Sequence, residues 1–331
     1  MTLPNTKHGQ IVTIGGISNI TTILDNELGY YPIITTDEYG FNNPIGLYES
    51  PAIDILLIGD SFTEGYSVHP EESISGRLRQ SDLRTINLGR HGAGPLVEYA
   101  SLIEHGVQLK PRFVLWLYYT NDLKDMVDES RSDILTNYLT NDNFSQKLVE
   151  KQKEIDKNLI DYQKALRPRP QLLSFLTISN LRSLINVQPS PQTRQTSKLE
   201  DAGITNTIKS YPELLNCSNG DHHSCLQAFK YILSKANDKI STWDGDLYFV
   251  YLPGITHLSE AEDDNFRNLL LLAVKEAHIP IVDIQSDVFN LHPDPMSLFP
   301  FGLRGHYTPE GYRLVTEAIL SKINLDTTMS R

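Results

Sequence analysis

Five short apolar runs recur along the chain: Ile53 to Ile58 within IDILLIGDS, then RTINLG, FVLWLYY, LYFVYLP and IPIVDI. They are continuous rather than alternating, so each predicts a strand buried on both faces, the habit of parallel sheets. Between them lie stretches with helical spacing. Pro70 to Gln80 places Ile74 and Leu78 four apart, and Pro95 to His105 sets Leu96, Tyr99, Leu102 and Ile103 on one stripe. Ser259 with Glu262 reads as a capping box for a helix that ends near Ala277, ahead of Pro280. Thr308 and Pro309 open a last helix carrying Tyr312, Leu314, Val315 and Ile319. The alternation predicts a three-layer α/β/α sandwich on a mainly five-stranded parallel sheet.

Two regions fall outside that rhythm. Residues 1–50 read as a lead-in of short strands and turns that packs on the core and ends in TTDEYGFNNP, where Gly40 and Asn-Asn-Pro mark a tight loop. Residues 130–242 read as a mainly helical insertion with a charged helix over Ser145 to Ala165, the stretch RPRPQLLSFLTISNLRSLI, and a polar mobile loop, VQPSPQTRQTSKLEDAGITNT. Such an insertion would either cap the C-terminal ends of the strands or be decoration. The core domain is then 51–129 together with 243–325, and 326–331 is a tail.

Charge narrows the partners. The 331 residues carry 29 basic and 41 acidic side chains, a net charge of −12, which excludes a general binder of nucleic acid or of anionic membranes. No run approaches the 18 apolar residues or so of a membrane span, and MTLPNTKHGQ lacks the pattern of an export signal. The location is cytoplasmic if the natural chain starts at Met1, and periplasmic or otherwise extracytoplasmic if an upstream signal or anchor precedes it. Cys217 and Cys225, in NCSNGDHHSC, allow a small disulfide or two free thiols; with His222 and His223 they also allow a metal site, although the spacing fits no common zinc pattern.

The sharpest chemical feature is GDSFTEG directly after the first strand. It places Ser61 at a strand's C-terminal end beside a helix N-terminus, where a nucleophile and a developing anion are both favoured. Asp60 and Ser61 would equally serve as ordinary caps. A serine nucleophile needs a base, and His306 in GLRGHYTPEGY lies in a Gly-flanked loop before the last helix. The glycines of NLGRHGAG and the amide of Asn121 in YTND end the second and third strands, so three strand ends would bring a nucleophile and oxyanion donors together. Tyr119 and Tyr307 are candidate aromatic stacking surfaces near the same strand ends, with Tyr118 as readily a core residue. Arg90 and Arg304 are candidate contacts to acidic groups.

These blocks, in this order, resemble the SGNH (GDSL) hydrolase family. The resemblance implies a flavodoxin-like sheet, Ser61 as nucleophile, His306 as base, and an oxyanion hole made by the amides of Ser61 and Gly92 and the side chain of Asn121. Tyr119 replaces the usual glycine of the third block. The family's acid stands three residues before the histidine, where this chain has Leu303, so the resemblance leaves Asp294, Asp283 or a backbone carbonyl to orient His306. TTDEYGFNNP, GDSFTEG and WLYYTNDL further resemble the bacterial branch associated with polysaccharides. That branch implies a serine esterase removing O-acyl, chiefly acetyl, groups from a glycan or an acylated small molecule, in association with polysaccharide biosynthesis machinery and with no cofactor or metal. The alternatives are an O-acetyltransferase using the same site and a carbohydrate-binding or scaffolding protein in which Leu303 marks lost catalysis. A phosphate-binding α/β protein is disfavoured, because the Walker lysine and the dinucleotide glycine spacing are both absent. The oligomeric state stays open.

Overall fold

In a computed structural model, which describes residues 2–6, 9–166, 217, 222–258 and 263–329, the chain opens with two antiparallel hairpins. The first pairs β1 (Thr2–Thr6) with β2 (Gly9–Val12), and the second pairs β3 (Thr21–Ile23) with β4 (Ile33–Thr35). TTDEYGFNNP then wraps around the buried carboxylate of Asp37, which accepts from the amides of Tyr39 (2.8 Å) and Phe41 (2.9 Å) and from Asn43 Nδ2 (2.7 Å). Gly40 (φ 83°) lies where a Cβ would fall 2.2 Å from the carbonyl carbon of Gly16, so the turn closes on Gly16 only with glycine there.

The five apolar runs form one parallel sheet of β5 (Ile55–Gly59), β6 (Thr85–Asn87), β7 (Phe113–Tyr119), β8 (Asp246–Leu252) and β9 (Ile281–Asp283), in the order β6-β5-β7-β8-β9. Alternate residues of each strand enter two separate cores. Ile55, Leu57, Leu115, Leu117 and Val250 point to one, and Leu56, Ile58, Val114, Trp116 and Phe249 to the other. Both faces are therefore covered, which is why the strands read as continuous apolar runs. Five helices follow the first strands in chain order: α1 (Ser61–Glu64), α2 (Ile74–Gln80), α3 (Pro95–Ser101), α4 (Asp122–Glu129) and α5 (Asp133–Thr140). Next come α6 (Leu148–Leu166), α7 (His222–Ser241), α8 (Asp263–Glu276), α9 (Ile284–Asp287) and α10 (Pro309–Met329). Ile74 and Leu78 of α2 and Tyr312, Val315 and Ile319 of α10 line one core, and residues from α3 and α5–α8 line the other.

Several boundaries shift from the sequence expectation for local reasons. The helix expected from Pro70 starts at Ile74, because Ser73 caps it by accepting from Gly76 N (3.1 Å) and Pro70–Glu72 is a separate 3-10 turn. The Pro95 helix continues past Ser101 as a π-turn over Leu102–Gly106. The helix expected from Ser145 starts at Leu148, since Lys147 has φ 56° and the amide of Gln146 is drawn to Glu104 (2.5 Å). The final helix runs on through most of the expected tail to Met329.

Within the region expected as an insertion, α7 lies on the sheet and packs Phe229 against Trp116 and Tyr118, so it serves as the crossover from β7 to β8. Cys217 and Cys225 are joined in a buried disulfide, which resolves the alternatives for that loop and removes both thiolates from metal binding. Among the described residues no group of His, Cys, Asp and Glu is arranged to hold a metal ion, and no helix is long and apolar enough to cross a membrane. The segments 167–185 and 187–207 and the Ser259/Glu262 capping box lie outside the described residues.

Glu129 secures the start of α3 by accepting from the amides of Gly94 (2.7 Å), Leu96 (2.9 Å) and Val97 (3.4 Å). Burial pushes its carboxyl up from the usual 4.5 to about 7, against the pull of those amides. A carboxyl whose folded value is raised contributes stability below its unfolded value and loses it as pH rises through the folded one. The advantage of the wild type over Glu129→Gln in thermal unfolding should therefore be largest near pH 4 and shrink steadily up to about pH 7, the value for the folded state.

Candidate active site

In the order β6-β5-β7 the chain leaves β5 toward one side of the sheet and later returns on the other, which opens a crevice at the C-terminal ends of β5 and β7. Gly59 ends β5 where a Cβ would meet Thr63 Oγ1 at 2.2 Å and the carbonyl oxygen of Leu117 at 2.6 Å. Asp60 caps α1 by accepting from Phe62 N (2.9 Å), so Ser61 becomes the first residue of a one-turn helix that stops at Gly65 (φ 77°). Ser61 is only 8% exposed, and its Oγ lies 2.8 Å from His306 Nε2. Burial raises the Asp60 carboxyl to about 6 despite the capping amide. Its contact with Ser61 Oγ is long at 3.5 Å, so the imidazole is the closer partner.

The far side of the imidazole is where the structure departs most from expectation. Nδ1 of His306 is 2.9 Å from Glu27 Oε1, and the other oxygen of Glu27 accepts from the backbone amide of His306 at 2.7 Å. Glu27 belongs to the turn joining β3 to β4, within the lead-in. That turn is shaped by Asn26 Oδ1 accepting from Gly29 N (2.7 Å) and is seated by Tyr30, which stacks on His69 with ring centroids 4.9 Å apart and donates to Glu72 (3.3 Å). Burial works to raise the Glu27 carboxyl, but hydrogen bonds from His306 and its charge outweigh that and hold it below the usual value. With the Nδ1 hydrogen donated to a carboxylate, Nε2 is left as the acceptor for the Ser61 hydroxyl.

Asp283 and Asp294, the expected orienters, are elsewhere. Asp283 pairs with Arg267 and accepts from Ser286 Oγ (2.7 Å) at the start of α9. Asp294 is exposed in a loop whose backbone bonds are to His292 and Ser297. Leu303, at the position of the family's acid, is 65% exposed.

The oxyanion candidates stand on the neighbouring strand ends. Gly92 (φ 71°) sits in a turn closed by Ala93 N donating to Arg90 O (3.0 Å) and tied to β5 through Arg90 N and Gly59 O (3.1 Å). Asn121 leads into α4, and its Nδ2 donates to Asp125 (2.8 Å), which commits one of its two amide hydrogens and fixes the amide plane. Asn87 braces this side, donating to Thr63 O (2.7 Å) and accepting from Gly89 N (2.8 Å).

Of the expected substrate contacts, two are spent inside the fold. Arg90 donates to the carbonyls of Ile14 (2.8 Å) and Gly15, so it anchors the lead-in. Tyr307 is fully buried and donates to Pro253 O (2.7 Å). Tyr118 is likewise a core residue. Tyr119 is partly exposed and stacks on Phe62 at 3.9 Å, and Arg304 is exposed and close enough for its charge to act on Tyr119. Phe62 and Tyr66, whose rings lie 4.6 Å and 5.5 Å from that of His306, and His91, which stacks on Tyr66, are site residues with no distinguishing local pattern. Glu27 has none either: an acidic residue in a hairpin turn, 279 positions from its partner, looks like any solvated turn residue.

No protein-family model matches the chain, and no curated protein matches it. Among solved structures it is similar to a member of the lipolytic protein G-D-S-L family from Veillonella parvula, with 14% identity, TM-score 0.40, and 82% of this chain and 97% of that one covered. It is similar to the lipase/acylhydrolase from Enterococcus faecalis, with 12% identity, TM-score 0.41 and coverage of 82% and 95%. A mutant of an acetyl-xylooligosaccharide esterase from Geobacillus Stearmophilus gives 14% identity, TM-score 0.41 and coverage of 82% and 94%. Likeness at this level assigns neither a family nor an activity.

A Cβ at position 59 has nowhere to go, because one of its neighbours is the backbone of β7. Gly59→Ala should cost about 1–3 kcal/mol, read as a lowered midpoint in urea unfolding.

Proposed function

We propose that the chain is a serine esterase of the SGNH type that removes O-acyl groups from a carbohydrate through an acyl-enzyme on Ser61. The observation that carries this reading is the 2.8 Å contact between Ser61 Oγ and His306 Nε2 at the C-terminal edge of the sheet. As Oγ attacks the ester carbonyl, His306 takes the hydroxyl proton. The carbonyl oxygen becomes an oxyanion facing the amides of Ser61 and Gly92 and the side chain of Asn121. Collapse breaks the ester C–O bond, and the imidazolium returns the proton to the departing alcohol. Water, deprotonated by His306, then releases the acid and restores Ser61.

Placement of the reacting groups supports this reading over a simple capping role for Ser61. The first residue of a short helix needs no histidine partner, yet here one is enclosed between Phe62 and Tyr66. For the substrate, the partly exposed Tyr119 offers an aromatic face and Arg304 a single cation beside it. A net charge of −12 disfavours long polyanions and suits neutral or sparsely charged acylated sugars. A sugar hydroxyl in place of water would make the same site an acyltransferase, and product analysis with and without an acceptor glycan separates the two.

Ser61→Ala and His306→Ala should each lower turnover of an acetylated sugar by roughly 10,000-fold. A serine-reactive phosphonate should label the wild type at Ser61, located by peptide mass analysis. A folded protein that neither turns over esters nor takes the label would defeat the esterase reading in favour of a carbohydrate-binding role.

A further inference from the structure

We infer that Glu27 is the positioning acid of His306, so that the lead-in, and not the loop carrying the histidine, completes the reacting array. The inference rests on the esterase reading and names a residue outside the family pattern of an acid three positions before the histidine.

The geometry has two parts, and together they exceed an ordinary surface ion pair. One oxygen of Glu27 meets Nδ1 at 2.9 Å, and the other accepts the backbone amide of the same histidine at 2.7 Å. A single carboxylate therefore fixes the tautomer, the rotation of the ring and the position of the loop. The turn that carries it is itself held by Tyr30 stacking on His69 and by Asn26 Oδ1 accepting from Gly29 N. Glycine at 305 lets the loop come this close, since a Cβ there would lie 3.0 Å from Glu27 Oε2 and 3.1 Å from Pro300 Cγ. Other groups feel the charge of His306, namely Asp60, Glu64 and His91, but none of them bonds to Nδ1. Asp60 is committed to the Phe62 amide and Glu64 to the His91 amide (2.7 Å). When Nε2 accepts the serine proton, the imidazolium thus has its counter-charge at Glu27, and no proton leaves Nδ1. Leu303, relieved of the acid's role, points into solvent.

The test uses the full chain with p-nitrophenyl acetate as probe and compares Glu27→Gln, Glu27→Asp and Leu303→Ala with the wild type. Glu27→Gln should lower kcat by roughly 1,000-fold with KM within about twofold. It should also move the acid limb of the pH–rate profile to lower pH, and abolish the far-downfield imidazole N–H proton signal expected of the wild type from the 2.9 Å Nδ1–Glu27 contact. Glu27→Asp, which keeps the charge but withdraws it by one methylene, should lie between the two, and Leu303→Ala should leave kcat unchanged. If Glu27→Gln does not fold, Glu27→Asp with an unchanged melting temperature decides: a fall in kcat supports the role. Wild-type kcat and an unaltered downfield signal in a folded Glu27 variant would overturn it. A wild type that neither turns over nor accepts phosphonate at Ser61 would instead defeat the esterase reading, and the role with it.

Discussion

A parallel sheet whose strands are apolar on both sides must be covered on both faces, and that leaves only its edges and strand ends open to water. Here α2 and α10 cover one face, while α3 and α5–α8 cover the other. Polar chemistry is then confined to the loops at the strand ends. The reversal of strand order between β6-β5 and β7 decides which end offers a crevice. Ser61, Gly92 and Asn121 follow three adjacent strands, and Gly59, Asp60 and Asn87 make the turns tight enough to hold them there. The position of the site is therefore a consequence of covering the sheet.

That arrangement has an electrostatic cost beneath the crevice. Asp60, Glu98 and Asp122 are buried near one another, and Glu98 and Asp122 each keep one oxygen without a partner among the described residues. Burial, followed by the charge of neighbouring acids, holds both well above the usual carboxylate range. Each is tied by its other oxygen, Glu98 to the indole of Trp116 (2.6 Å) and Asp122 to the amide of Tyr119 (3.0 Å). Acids held toward their protonated form in this way accept hydrogen bonds from β7 and carry less negative charge beneath Ser61 than free carboxylates would.

The parts legible in the sequence are those that depend on short-range pattern. Continuous apolar runs gave the five strands, and the turn residues of GDSFTEG gave the strand-to-helix corner at Ser61, because both follow from neighbours within a few positions. His306 was legible as a histidine in a glycine-flanked loop, but its partners were not. Arg90 and Tyr307 looked available because they flank glycine-rich loops, yet the first spans to Ile14 and Gly15 and the second is buried against Pro253. Glu27 was invisible for the same reason. What sets its role is a docking of the lead-in onto a loop 279 residues away, and no local pattern encodes that.

The docking is itself over-determined, which argues that the lead-in is part of the machinery and not a loose extension. Arg90, in the very loop that carries Gly92, holds the carbonyls of Ile14 and Gly15. From the other side, α6 clamps the same segment: Asp156 accepts from the amide (2.9 Å) and hydroxyl (2.6 Å) of Ser18, and Gln152 donates to Gly16 O (3.0 Å). The Asn43 side chain pairs with both the amide and the carbonyl of Asn87 (each 2.8 Å), so the lead-in is also tied to the end of β6. A segment needed only to cover apolar surface would not require polar ties to the end of β6, to the loop that follows it and to a helix, since each tie demands geometry that simple burial does not. Those ties fix the base of the β3–β4 hairpin relative to the sheet, and so they fix how far Glu27 stands from His306. In this chain the distance from Glu27 to His306 is set by the packing of its first 50 residues as much as by the strand ends.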